Sequence, residues 1–213
     1  MKKISLVLII MLLPVLNIAA DWTHVLSAGG TVPVLNIDVE DEAKNEDKMS
    51  AVGFDGYIDY MLVNNNNRFS LFVFESVGGI NTDDIYYDDD VTGVHLAGML
   101  GVGGALVNTD TAVVALHGVI GYSYFYFNED VYSSGYSIET TVSGVYFALG
   151  ANISTAFRFT DHFGMSIAVA GLVNLGGSGE IEGEYKNLSA DKDFDIKAGK
   201  MTFLPRLGFA WFF

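Results

Sequence analysis

Val145-Tyr146-Phe147-Ala148-Leu149-Gly150-Ala151-Asn152-Ile153-Ser154 is the stretch on which the fold turns. Its odd positions are Val, Phe, Leu, Ala and Ile; its even positions are Tyr, Ala, Gly, Asn and Ser. A period of two is the mark of a β-strand, whose successive side chains point to opposite faces. Neither face carries a charge, so neither is built for bulk water. The same alternation returns in Met165, Ile167, Val169, Val173 and Leu175 against Ser166, Ala168, Ala170 and Asn174. It returns again in Phe54, Ile58, Tyr60 and Leu62 against Asp55, Tyr57, Asp59 and Met61. The segment 111–127 is less regular, because both of its faces are apolar in the middle.

Working outward, apolar-rich segments at 23–39, 49–63, 68–80, 92–107, 111–127, 139–158, 163–176 and 198–213 alternate with polar breaks. The breaks come in two sizes. Asn64 to Asn67, Asn108 to Asp110 and Phe159 to His162 are short; 40–48, 81–91, 128–138 and 177–197 are longer and acidic. Short turns at one end and long loops at the other are the habit of bacterial membrane barrels, with turns periplasmic and loops extracellular. The expectation is an all-β, eight-stranded antiparallel up-and-down transmembrane β-barrel over residues 21–213, with both termini at the short-turn end.

Composition agrees. Half of the 213 residues are apolar, glycine (24) and aromatics (13%) are plentiful, and proline (3) is rare. Mean hydropathy is +0.33. Yet after residue 20 no apolar run approaches the roughly 20 residues a spanning helix needs. Met1-Lys2-Lys3, the apolar Ile4 to Ile18 and Ala19-Ala20 form the n-h-c pattern of a secretory signal peptide cut after Ala20. The formal charge of −15 becomes more negative once Lys2 and Lys3 leave. With the few basic residues scattered among acids, nucleic acid is excluded as a partner. The absence of cysteine removes disulfides, thiolate zinc sites, a thiol nucleophile and a lipidated N-terminal cysteine.

Aromatic residues gather near strand ends, as they do at the two membrane–water boundaries. Trp22, Phe69, Phe163 and Trp211 fall by the short turns; Tyr86, Tyr87, Tyr122 and Tyr124 fall toward the long loops. The chain closes on Leu207-Gly208-Phe209-Ala210-Trp211-Phe212-Phe213, with Leu207, Phe209, Trp211 and Phe213 on one face. A last strand of this kind resembles the C-terminal insertion signal of outer-membrane barrels. With the leader and loop pattern, residues 21–213 resemble the small barrels of the OmpA-transmembrane, OmpX, OmpW and opacity-protein type. That resemblance implies residence in the cell outer membrane and, as partners, outer-membrane lipid and the barrel-assembly machinery during insertion. Pro33 and Pro205 depart from the pattern, because they fall in the two strands that must pair to close a barrel. A bulge near Gly29-Gly30 is the expected remedy.

Inward parity places Asp55, Asp59, His95, His117, Asn152 and Arg206 in the lumen, as a carboxylate–arginine network. Tyr57, Met99, Phe125, Tyr146 and Leu172 would fill the rest, since eight strands enclose little more than side chains. Asp88, Asp89 and Asp90, and Asp191-x-Asp193-x-Asp195, are weak divalent-cation candidates. The second group opens like a calcium loop, but Ile196 replaces the required Gly and Thr202 stands at the closing Glu. A solvated acidic surface is the favoured reading, and no cofactor is expected. His24, His95, His117 and His162 lie in four separate places with no His-x-Ser, so no catalytic residues are predicted. The expected role is structural or adhesive, through acidic, Tyr-rich loops that meet an extracellular or host ligand, around a plugged lumen. A narrow channel for small hydrophobic or ionic solutes, implied by the OmpW resemblance, is the alternative; a lipid A-modifying enzyme stands third.

Overall fold

A strand needs a neighbour on each side for its backbone N–H and C=O groups, and the sheet supplies this by closing on itself. The computed structural model describes residues 21–41, 44, 46–83, 90–133, 136–185 and 188–213. The leader (1–20), Tyr86, Tyr87, Asp88 and Asp89 lie outside them. Ten antiparallel segments are present among the described residues: β1 (Trp22–Thr31), β2 (Val34–Asp41), β3 (Glu46–Asn64), β4 (Phe69–Asp83), β5 (Asp90–Asn108), β6 (Ala112–Ser133), β7 (Tyr136–Arg158), β8 (Phe163–Tyr185), β9 (Leu188–Ile196) and β10 (Met201–Phe212). From β3 to β9 each strand pairs with the next, up and down. The ends then meet: β1 pairs with β10, and β2 with β9, so the sheet closes in a ring.

Ten segments stand where eight strands were expected, because the first and last strands are each interrupted. β1 and β2 hold one unbroken register against β3, from Trp22↔Asn64 to Glu40↔Glu46. Val32–Pro33 interrupts them, since Pro33 has no N–H to give the ladder. Its carbonyl still accepts from Gly53 N at 3.0 Å. β9 and β10 both pair with β8, but their registers differ by one residue. The offset is absorbed at Lys197–Lys200, where Gly199 adopts φ +105° and Gly176 of β8 adopts φ +114°. Those dihedrals favour residues without a Cβ. Asn174 holds the irregularity, with its N–H on Lys200 O and its carbonyl receiving Gly199 N–H, both at 2.8 Å.

The seam therefore differs from expectation. No bulge occurs at Gly29-Gly30; β1 and β10 run in one register from Val25↔Phe212 to Thr31↔Arg206. Pro205 is accommodated as an acceptor, taking Val32 N–H at 3.2 Å and the Thr31 hydroxyl at 2.9 Å. The two acidic breaks at 128–138 and 177–197 also prove to be mostly strand. β6 and β7 pair out to Ser133↔Tyr136, and β8 and β9 out to Tyr185↔Leu188. On β9 the polarity comes from alternate positions: Asp193 and Asp195 are exposed, while Phe194 and Ile196 are buried.

Burial alternates through the ring. In β10 the even residues Thr202, Leu204, Arg206, Ala210 and Phe212 are buried, while Phe203, Leu207, Phe209 and Trp211 are exposed. The outer wall is thus apolar, with Phe54, Leu100, Ile120, Phe147, Leu149, Leu207 and Phe209 all more than half exposed. At the seam, Gly29 faces Gly208, and a Cβ on Gly29 would stand 2.1 Å from Leu207 O. Gly29→Val forces β1 away from β10, and the folded, heat-modifiable band in unboiled electrophoresis should be largely lost. Ala28→Val, on the adjacent outward position, should retain that band.

Candidate functional site

Closing the ring creates one interior, and the six lumen candidates are all buried in it. They do not form one network. Asp55 of β3 and His95 of β5, both fully buried, face each other across β4, with Nδ1 2.6 Å from Oδ2. The far nitrogen of His95 lies 2.7 Å from Ser123 Oγ on β6, and Ser76 on β4 donates to the same Asp55 oxygen at 3.0 Å. A carboxylate only accepts, so Nδ1 carries a proton toward Asp55. Asp55, His95 and Ser123 are thus joined in the order of a serine-hydrolase triad.

The second group centres on Arg206 of β10. Its guanidinium donates to Asn152 Oδ1 of β7, and Asn152 donates to Ser154 at 2.8 Å. Asp59 of β3 stands 3.6 Å from Arg206 Nη1, an ion pair too long to be a hydrogen bond. Three rings line the same cation: Phe74 at 4.6 Å, Phe72 at 5.1 Å and Tyr57 at 5.8 Å to the centroids. Distances under about 6 Å give cation–π attraction. His117 of β6 forms the third group, 2.8 Å from the Ser70 hydroxyl and stacked on Phe72 at 5.2 Å. Large side chains occupy the space between: Tyr57, Met99, Phe125, Tyr146 and Leu172 are buried, and Tyr146 OH meets Thr202 at 3.0 Å.

Parity therefore located the charged groups but not their pairing. Asp55 goes to His95, whereas Arg206 takes Asp59 and Asn152. Ser70, Ser76, Ser123, Ser154 and Thr202 complete the groups and were not singled out. They share the inward parity, but small hydroxyl residues populate both faces of many strands and their spacing marks none of them.

The triad order does not make an active site. Ser123 is 4% exposed, and it sits mid-strand in β6, between β5 and β7. Its neighbouring backbone N–H groups are spent in the ladders, so none is free to hold an oxyanion. Of the divalent-cation candidates, Asp88 and Asp89 lie outside the described residues. Asp193 and Asp195 lie on the extended strand β9, exposed on the outer wall, and not in a loop. Asp90 and Asp191 are strand positions opposite Asp83 and Glu182. Among the described residues no group of three His, Asp or Glu side chains is placed to hold a metal.

No protein-family model matches the sequence, and no curated protein matches it. Solved structures do. The outer membrane protein OprG of Pseudomonas aeruginosa superposes with TM-score 0.58 at 12% identity, over 90% of this chain and 95% of its own. A major outer membrane protein of Thermus thermophilus gives TM-score 0.59 at 11% identity, over 88% of this chain and 99% of its own. The fold is that of small outer-membrane β-barrels. At these identities the likeness concerns architecture alone.

In the closed sheet the candidate insertion signal lies on the closing strand β10. Leu207, Phe209, Trp211 and Phe213 point outward, and Gly208 faces Gly29 beside the Tyr57 hydroxyl. At the short-turn end Trp22 meets Phe69 edge-on at 6.2 Å, and Phe163 meets Trp211 edge-on at 5.7 Å. Tyr122 and Tyr124 stand outward on β6.

The interior groups make a direct prediction. Arg206→Met strands the buried Asp59, which should cost about 3–5 kcal/mol of unfolding free energy in lipid vesicles. Adding Asp59→Leu to that variant should recover most of the loss. A double variant no better than the single one would show that Arg206 acts through its rings and Asn152 alone.

Proposed function

We propose that this chain is an integral outer-membrane barrel of eight staves, two of them broken, which displays a rigid acidic wall to the exterior and conducts nothing through its lumen. The carrying observation is the continuation of β6 to β9 past the apolar band. On β8 the outward positions change from Val169, Val173 and Leu175 to Ser178, Glu180 and Glu182. Asp195 and Asp193 stand opposite Ser178 and Glu180 on β9, and Tyr124 and Tyr126 stand outward on β6. Phe125, Phe127, Phe194 and Ile196 fill the inside, so the extension is a folded wall and not a set of loose loops. A concavity of about 420 Å³ lies on it, bordered by Tyr124, Ser143, Glu180, Phe194, Asp193 and Asp195.

Carboxylates beside exposed phenol rings suit a cationic partner, by charge and by cation–π contact. The role is thus one of surface interaction, with an extracellular ligand rich in Lys or Arg. The filled interior supports a closed lumen, because eight strands leave room only for side chains. Residues 1–20 serve as the cleaved leader, and the C-terminal aromatics address the chain to the barrel-assembly machinery.

Two measurements test this. The refolded protein should give no discrete conductance steps in a planar bilayer; steady steps would defeat the closed lumen. A fluorescent oligo-lysine peptide should bind protein-bearing vesicles, less so as salt screens the charges. Neutralising Glu180, Glu182, Asp193 and Asp195 to their amides should weaken that binding by roughly tenfold, the sum of several exposed pairs. Unchanged affinity would place the interaction elsewhere.

A further inference from the structure

Closure removes the sheet's edges within the apolar band, but not above it. Strands β6 to β9 continue past that band, and β2 does not follow them to the end. It pairs with β9 from Val39↔Ile196 to Asp41↔Phe194, and its pairing with β3 runs out at Glu40↔Glu46. β9 runs on from Asp193 up to Leu188, held by β8 as far as Tyr185↔Leu188. Among the described residues, no strand pairs with the other side of that stretch. The ring therefore keeps one open edge, on its acidic side.

A sheet edge is a row of N–H and C=O groups that recruits another strand, and its side chains decide which strand. On β9, Asp191, Asp193 and Asp195 share one parity, and Asp193 and Asp195 are exposed. Asp195 stands opposite Glu40 of β2, and there the chain supplies its own cation, because Lys197 binds Glu40. Higher up, Asp193 and Asp191 stand opposite Glu180 and Glu182 of β8, an acid beside an acid at each step. Like charges directly opposite one another repel. Such an edge turns away a neutral or acidic strand, and the same charges select a strand of opposite sign.

The spacing adds a further condition. In an added strand, alternate side chains fall on one face about 7 Å apart, which is also the spacing of positions 191 and 193. Basic residues at every second position would each stand beside an acid. Lys192 falls on the other parity, with Phe194 and Ile196, so the intervening residues should be uncharged. Resting on the cationic-ligand reading above, we propose that the edge of β9 from Leu188 to Asp193 takes its partner as an added β-strand. The partner is an extended peptide segment with Lys or Arg at alternate positions.

Fluorescent peptides and protein-bearing vesicles test this. Thr-Lys-Thr-Lys-Thr-Lys-Thr should bind roughly tenfold more tightly than Lys-Lys-Lys-Thr-Thr-Thr-Thr, which has the same charge, because only the first can satisfy both the edge and its acids. Two further peptides carry backbone N-methyl groups, on the lysines in one and on the threonines in the other. Each keeps the charge and loses the N–H groups of one side. One should bind like the parent and the other roughly tenfold more weakly, since an added strand turns one side to β9. Asp193→Asn, with the heat-modifiable band intact, should erase the advantage of the alternating peptide. If all these peptides bind equally and salt weakens them alike, the added strand is refuted and the cationic-ligand reading stands. A wild type that dimerises in vesicles and binds no alternating peptide refutes the added strand as well. If oligo-lysine does not bind either, the cationic-ligand reading fails and the added strand with it.

Discussion

A β-sheet carries a row of unpaired N–H and C=O groups along each of its two edges, and everything else in this protein follows from removing them. In water such an edge invites aggregation; in hydrocarbon it is untenable, because nothing there can hydrogen-bond it. The chain joins its first and last strands, and that junction must absorb two prolines. β1 and β2 keep one register through Pro33, while the last strand takes up the mismatch at Lys197–Lys200. The irregularity stands where Gly199 and Gly176 allow positive φ and where the Asn174 backbone can bridge the gap.

Closure dictates the interior. A ring this narrow has no room for bulk water, so each inward charge needs a protein partner. Arg206 comes from the closing strand, and its partners come from distant parts of the ring: Asp59 from β3, Phe72 and Phe74 from β4, Asn152 from β7. These contacts form only once the ring is shut, and they tie the seam to the far wall. Asp55, His95 and Ser123 serve the neighbouring strands β3 to β6 in the same way. A triad-like order arises there because a carboxylate, an imidazole and a hydroxyl are a natural way to satisfy one another in a dry space. It needs no substrate to explain it.

The parts legible in the sequence were those governed by the period of two. Phe147, Leu149 and Ile153 outward and Tyr146, Asn152 and Ser154 inward are local consequences of pleating, and they could be read without knowing any neighbour. What escaped was set by partners far away in the chain. Residues 177–197 looked like loop because Glu180, Glu182, Asp191, Asp193 and Asp195 dominate the segment. They alternate with Ile181, Phe194 and Ile196, and the strand was visible in that parity once the acids are assigned to one wall. The bulge could not be placed from Gly29-Gly30, since two facing glycines serve equally well for close strand approach. Which carboxylate meets His95 and which meets Arg206 depends on register across several strands and has no local signal.

Acidity and closure oppose each other at the rim. Asp38 and Glu40 of β2 and Glu46 of β3 crowd the upper seam, where like charges would push the joined strands apart. The interruption between β9 and β10 answers this, because it carries Lys197 and Lys200. Lys197 pairs with both Glu40 and Glu46, and Lys200 reaches Asp38 at 3.2 Å. Exposed pairs of this sort contribute little each. Their placement matters more than their strength, since they lie across the junction of β2 with β9 and β10, where backbone pairing is sparse. The acids of β2 and β3 are thereby paired, while Glu182, Asp193 and Asp195 of the β8–β9 wall remain exposed.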